Sequence, residues 1–581
     1  MTLTAIAILV IILLSAGYLL YGTFIARQYR LDPNATTPAT AKNDGVDFIP
    51  TRPFYLMAQH FSAIAAAGPI AGPILACAAF GWGPCILWII VGVILIGAVH
   101  DFSALVASVR HGAHSIADIA KQNLGKRAWL ALTSFIWLAL LYVITAFTQI
   151  TASTFQGVAE EFEGVATPFN KGGAVAAAST LYLTLALVLG IVQRFLRPPM
   201  WLTTIIFVPL ALGCVWAGTQ VDQVLELSGR QWFVAILIYC FVASMLPMWL
   251  LQQPRGFLGG FVLYIAIAVG AIGVLFGGFE IKQPFISQQA IELINPLNLL
   301  AKDGVPISAM MVPFLFVTIA CGACSGFHGL ICGGTTSKQI AKETHCKSVA
   351  FGAMLLEGFV AVIALATMMI LAPADLTKPV NPSRIYGDGL ARFLTLILGP
   401  DAFVFCVTFG AMAFSTFVFD TLDVSTRLGR YLLQELFSAP GKLAGVIAAG
   451  ATAGVPLVML LVADEKAYLQ FWTLFGTSNQ LLAALTLLGI TVWLYRNGKR
   501  YWYTLIPMFF VMAITLMALG LQIFVGFRDM NRGAWRIGDN RLLNPTIMNA
   551  PVAVALLLLA IVFIHESVKA ARRGRIAPAG S

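Results

Sequence analysis

Apolar runs of about twenty residues, the length that crosses roughly 30 Å of hydrocarbon as a helix, recur from one end of this sequence to the other. They fix the solvent in which the chain folds. Of 581 residues 59% are hydrophobic and only 11% charged, too few charges to cover a water-facing surface, so a soluble globular enzyme is excluded. The runs lack the two-residue alternation of a membrane barrel, and a spanning segment must satisfy its own backbone, so they read as helices. About fifteen can be marked: one at 3-21, five within 54-218, two within 231-278, five within 311-495 and two within 502-568.

Charge placement orients them. Taking the connections in order, 24 of the 36 Lys and Arg lie in the odd ones and the C-terminal tail, which puts those in the cytoplasm and the N-terminus outside. The first segment, 1-22, has no basic residue ahead of it and Arg27 and Arg30 behind it, and reads as an uncleaved anchor. The net charge of +10 is then a property of cytoplasmic loops, and no nucleic-acid partner is implied. Nine cysteines, seven of them in or beside apolar runs, do not form a disulfide framework.

Two apolar segments contain helix breakers where a span should be smooth. The first is HFSAIAAAGPIAGPILA, with Gly68-Pro69 and Gly72-Pro73; the second is FVTIACGACSGFHGLICGGTTSK, with Gly322, Gly326, Gly329, Gly333 and Gly334. Proline removes a backbone donor and glycine lowers the cost of leaving helical angles. Backbone freed at membrane depth is tolerated where it faces protein, a solute or an ion, and matched breaks in two halves of a transporter point to its binding site. Seven crossings separate the two segments, so they run antiparallel, and 54-218 and 311-495 read as inverted five-helix repeats. The segments are expected to be unwound near Gly68–Pro73 and Gly322–Gly326 and to face each other. The plainer alternative is that the glycines serve close helix packing.

An ionisable group inside a span costs about 2.5–3.5 kcal/mol on insertion scales. The residues concerned are His60, His100, Asp101, His328, Glu357, Asp420 and Asp423. At 1.5 Å per residue, Asp101 lies about 26 Å from the outer start of its helix and Asp420 about 27 Å from its own, both toward the cytoplasmic leaflet. Glu357, about 14 Å from the cytoplasmic start of 348-370, is the acid nearest mid-depth. It is therefore the expected proton-coupling carboxylate, unless a basic partner keeps it charged for structural reasons. His60, His100, Asp101, Asp420 and Asp423 are assigned to a gate, with a proton-relay role open for the His100-Asp101 pair. Asp423 and Arg427, four apart, are expected to form an ion pair on one helix. Cys321-x-x-Cys324 with His328 and Cys332 has metal-ligand spacing, but its apolar, glycine-rich setting has no second such pair, so no metal or cofactor is expected. No Walker A loop, GxSxG elbow or HExxH motif is present, so neither a nucleotide site nor an enzyme is expected.

GPIAGPILA, GWGPCILWIIVGVILIGAVHDFSALVASVRHGAHSIADIAK, CGACSGFHGLICGGTTSKQIAKE and FWTLFGTSNQLLAALTLL together resemble the carbon starvation protein A family of bacterial inner-membrane transporters, over roughly residues 50 to 500. Cysteine at 324 and 332 departs from that family's small residues. The resemblance implies a leucine-transporter-like 5+5 inverted repeat with extra helices, and uptake of small peptides or, in some members, pyruvate, driven by a proton or sodium gradient. It also implies a sodium site in which carbonyls of the first broken helix join hydroxyls at Ser415 and Thr416, two positions that equally suit plain helix packing. Either substrate needs donors for a carboxylate, which half-helix N-termini after Pro73 and around Gly326 supply. The candidate substrate-binding set is accordingly Gly68, Pro69, Gly72, Pro73, Gly322, Ser325, Gly326, Phe327 and His328. A peptide ammonium additionally needs an acceptor, for which Glu357 or freed carbonyls serve. The remaining alternative, a membrane sensor or complex subunit that moves no solute, leaves the paired breaks unexplained.

Overall fold

The computed structural model describes residues 2–44, 48–65, 67–156, 169–292, 309–376, 380–463, 468–536 and 542–574. Among these the fold is helical, with only isolated bridges of extended chain. Twelve helices are long and apolar enough to cross a membrane, thirteen if the bent pair Pro53–Ile64 and Gly68–Phe80 is counted as one span. The chain is a multi-pass membrane protein. Two of the expected spans are shorter than drawn. Gly229–Met245 stops at 17 residues, because Pro247 holds the preceding Leu246 in an extended conformation. The 311-334 segment is split in two.

The chain forms two compact units, the first comprising Met1–Ile8, Leu140–Pro284 and Ile363–Phe471. Its axis is the 34-residue helix Phe403–Leu436. Lys171–Phe195, Met200–Gln220, Gly229–Met245, Gln252–Phe276, Pro382–Leu398 and Lys442–Val462 all pack on it. Small residues set the spacing: a Cβ on Gly410 would sit 2.6 Å from the Gly387 carbonyl oxygen, so these two helices meet backbone to backbone. Pro382–Leu398 was not expected from hydropathy, since Arg384, Asp388 and Arg392 recur along it at four-residue spacing. Its start is nonetheless written in the sequence, where Asn381 caps the Ser383 and Arg384 amides and Pro382 takes the first turn.

The second unit comprises Leu9–Ala139, Phe285–Val362 and Trp472–Ser581. It holds both broken segments together with Trp82–Arg110, most of Leu469–Arg496, Trp502–Asn531 and Pro545–Arg572. Leu469–Arg496 is the least apolar of the twelve long helices, at a mean hydropathy of 1.3, yet 94% of its apolar window is buried. A buried helix that is this polar must find partners for its side chains. It finds them on the second broken segment.

Candidate functional site

The second break runs from Ile319 to Ser325, between Met311–Thr318 and Gly326–Gly334. Leaving the helix frees carbonyls that cannot stay unpaired at this depth. Trp472 Nε1 donates to the Thr318 carbonyl (3.2 Å), Gln480 Nε2 to that of Phe316 (2.8 Å) and Trp88 Nε1 to that of Ile319 (3.2 Å). Gly476 admits the strand of freed backbone, since a Cβ there would sit 2.0 Å from the Val317 oxygen. At the start of the second half-helix the Asn479 side-chain oxygen accepts from the Phe327 amide (3.0 Å). Its nitrogen donates to Ser325 Oγ (3.1 Å) and Cys321 Sγ (3.3 Å). Within FWTLFGTSNQ, then, the side chains of Trp472, Asn479 and Gln480 clamp the break, and Gly476 makes room for it. Sequence reading noted the motif and missed the role, because a donor's target on another helix is not visible along the chain.

The first break differs from expectation in position. Gly68–Phe80 is helical, with Pro69 in its first turn and Pro73 inside it, and the 48° bend falls just ahead of Gly68, where Ala65 leaves helical angles. Proline costs no hydrogen bond in a first turn, so Gly68-Pro69 starts a helix rather than unwinding one. The half-helix N-terminus therefore lies at Gly68, ahead of Pro73. The two breaks touch. A Cβ on Gly68 would meet Cys321 Sγ at 2.4 Å, one on Gly72 the Thr318 oxygen at 2.6 Å, and one on Gly322 the Pro69 Cα at 3.5 Å.

Beside this junction four ionisable side chains form a line. Glu357 Oε2 lies 3.2 Å from His328 Nε2, His328 Nδ1 lies 2.8 Å from Asp101 Oδ2, and Asp101 Oδ1 lies 2.7 Å from His100 Nδ1. All four are essentially without solvent exposure. Depth arithmetic separates Asp101, near a watery interface, from Glu357 at mid-depth. Instead Asp101 is fully buried and joined to Glu357 through His328, because residues counted along single helices carry no information on the reach of an imidazole between them. His60, on the half-helix before the bend, pairs its Nδ1 with Thr336 Oγ1 (2.8 Å). Cys321, Cys324 and Cys332 are free thiols, and among the described residues no group of three or more His, Cys, Asp or Glu is arranged to hold a metal.

The other expected residues lie in the first unit. Ser415 Oγ is 3.0 Å from Ser179 Oγ, and Thr416 Oγ1 is buried with no partner among the described residues. Asp423 does not pair with Arg427. It binds the guanidinium of Arg255 and accepts from Tyr239 OH (2.8 Å), while Asp420 takes the other arm of Arg255 at 3.1 Å. Arg427 instead donates to the carbonyls of Ala243 (2.8 Å) and Leu246 (2.7 Å), the free acceptors at the end of Gly229–Met245. Helix-surface spacing predicts the Asp423–Arg427 pair only for a helix facing water; here a neighbouring helix supplies a fully buried cation. Counted by hydropathy as loop charge, Arg255 in fact sits in the first turn of Gln252–Phe276.

The sequence profile described as "Carbon starvation protein CstA" matches residues 1–388 and 375–518. "Peptide transporter CstA" of Campylobacter jejuni is 31% identical, over 89% of this chain and 79% of the relative. "Pyruvate/proton symporter BtsT" of Escherichia coli is 30% identical, over 87% of this chain and 80% of the relative. Among solved structures, that of MhsT in complex with L-phenylalanine aligns over 80% of this chain and 97% of its own length, with 13% identity and a TM-score of 0.47.

Proposed function

The chain belongs to the carbon starvation protein CstA family, and from that premise we propose that it is a secondary active transporter taking small peptides into a bacterial cell, with protons as the driving ion. The observation that carries the proton reading is the buried line of Glu357, His328 and Asp101 beside the junction of the two breaks. With Glu357 ionised, His328 a neutral imidazole and Asp101 sharing a proton with His100, the trio carries one net negative charge in an apolar interior. One further proton makes the trio neutral. Crossing the membrane core is easiest in the neutral form and release is easiest where water enters, which is the cycle a proton symporter needs. In this reading Glu357 is the coupling carboxylate and His328 its partner, and the substrate carboxylate docks at the half-helix N-termini beside Gly68 and Gly326.

The inverted five-helix repeats 54-218 and 311-495 are part of the same proposal, supported by the placement of one broken segment in each. So are the bacterial inner membrane, the N-terminus outside and the C-terminus in the cytoplasm, which rest on the distribution of Lys and Arg. A second reading is pyruvate with a proton, a solute without an ammonium that needs only the donors of the two half-helix N-termini and leaves Glu357 to the proton. The relative from E. coli is named a pyruvate/proton symporter.

Purified protein in liposomes, given labelled dialanine or labelled pyruvate under imposed proton or sodium gradients, tests the proposal. Accumulation of dialanine should rise as the outside is acidified, and Glu357→Gln, which keeps shape but removes the titratable proton, should lower it at least tenfold. A mutant that concentrates substrate at the unmodified rate removes Glu357 from the coupling role. Pyruvate accumulation without dialanine accumulation selects the second reading. Movement of neither, with a partner protein co-purifying, favours a sensor or complex subunit.

A further inference from the structure

The line of ionisable groups does not end at Asp101. His100 Nδ1 holds Asp101 Oδ1, and its other nitrogen, Nε2, is buried with no hydrogen-bond partner among the described residues. The edge of the ring that carries it lies beside Gly329, where an added Cβ would be 3.5 Å from Nε2. A buried imidazole with one nitrogen committed and the other empty is costly as a structural element, because an unmade hydrogen bond at such a site forfeits about 1–3 kcal/mol. It is well suited to pass a proton on.

We propose that Glu357, His328, Asp101 and His100 form a proton wire whose far end from Glu357 is His100 Nε2, shut off from solvent in the conformation described and giving up the coupled proton when that end opens. This extends the proton reading above and rests on it. Each group receives on one atom and gives from another. A proton leaves the Glu357 carboxyl and bonds to His328 Nε2; the His328 Nδ1–H bond breaks and its proton passes to Asp101 Oδ2. A proton shared between Asp101 Oδ1 and His100 Nδ1 moves fully to the imidazole, and His100 releases its Nε2 proton. One proton goes in and one comes out, and no charge stays behind. The contacts of 2.8 and 2.7 Å are hydrogen bonds already made, and the Glu357 carboxylate, whose oxygens have no hydrogen-bond partner among the described residues, lies 3.2 Å from His328 Nε2 and has only to turn toward it. The adjacent positions of His100 and Asp101, unlike any other pair on that helix, put an imidazole and a carboxylate within reach of each other on a helix that also packs against Gly326–Gly334. The other titratable groups within electrostatic reach of Asp101 are His60, Cys324 and Cys332. His60 is bound to Thr336, and the Cys332 thiol lies 3.5 Å from the Asp101 carbonyl oxygen rather than its carboxylate, so none of them interrupts the line.

A wire is needed for net proton-coupled uptake and less for exchange of substrate across the membrane, in which the proton need not be released. Proteoliposomes separate the two: accumulation of labelled dialanine and of labelled pyruvate under an acid-outside gradient, with proton entry followed by an internal pH dye, against counterflow of the same solutes without a gradient. His100→Gln keeps a donor to Asp101 and cannot shuttle; accumulation and proton entry should fall at least tenfold more than counterflow. An equal fall in both assigns His100 a structural role, and no fall in either overturns the wire. In the unmodified protein, accumulation measured across mixtures of H2O and D2O should give a curved rate dependence, as expected when several protons move together, and counterflow should not. A linear dependence in both overturns the wire even where the His100 variant fails to fold. Should Glu357→Gln also keep full acid-driven accumulation, the proton reading itself fails; should it lose accumulation while His100→Gln does not, only the wire fails.

Discussion

Replacing Asn479 by alanine removes the cap of the second half-helix and leaves the break otherwise unchanged. Four hydrogen-bond contacts go: the Phe327 amide loses its acceptor, Ser325 Oγ loses its contacts to both Asn479 side-chain atoms, and Cys321 Sγ loses a donor. The Phe327 amide heads a half-helix in a buried site, so an unsatisfied donor there costs about 1–3 kcal/mol. The serine hydroxyl adds a further fraction, and the thiol, a weak acceptor, adds little. The expected loss is about 2–3 kcal/mol, which corresponds to a fall of about 3–5 °C in melting temperature for a unit of this size, at an unfolding entropy of about 2.1 cal/mol/K per residue. Thermal unfolding in detergent, followed by tryptophan fluorescence, measures it. Ser325→Ala in the same background should cost less than it does alone, with a coupling of about 0.5–3 kcal/mol, because the orphaned hydroxyl is already without its partner. A melting temperature within a degree of the unmodified protein would refute the clamp, since the half-helix would then be held by something other than Asn479.

Two other outcomes follow from the first unit. Arg255→Met leaves Asp420 and Asp423 facing each other without their cation and should destabilise the unit by about 3–5 kcal/mol, seen as loss of folded protein on size-exclusion chromatography; Arg255→Met with Asp423→Leu should recover much of it. If sodium takes any part in coupling, Ser415→Ala with Thr416→Ala should abolish the sodium dependence of uptake, whereas sodium-independent uptake by the unmodified protein excludes these hydroxyls as a coupling site.

The membrane environment, the helical class and both broken segments were legible in the sequence, because each follows from properties summed along one stretch of chain: hydropathy over about twenty residues, and the inability of proline and glycine to continue a helix. The same local logic located His328 and Glu357 as out of place in an apolar span. What it could not deliver was partnership. The pairing of Asp423 with Arg255 rather than Arg427, the clamp of Trp472, Asn479 and Gln480 on freed carbonyls, and the joining of Glu357 to Asp101 through His328 each bring together residues from different helices. The position of the first bend, ahead of Gly68 rather than within Gly68–Pro73, was likewise decided by tertiary contact as well as by propensity, since Gly68 and Gly72 are where that half-helix meets the second break. In a bilayer every buried polar group must find its partner inside the protein, so the sequence shows which groups need one, and only packing shows which partner they get.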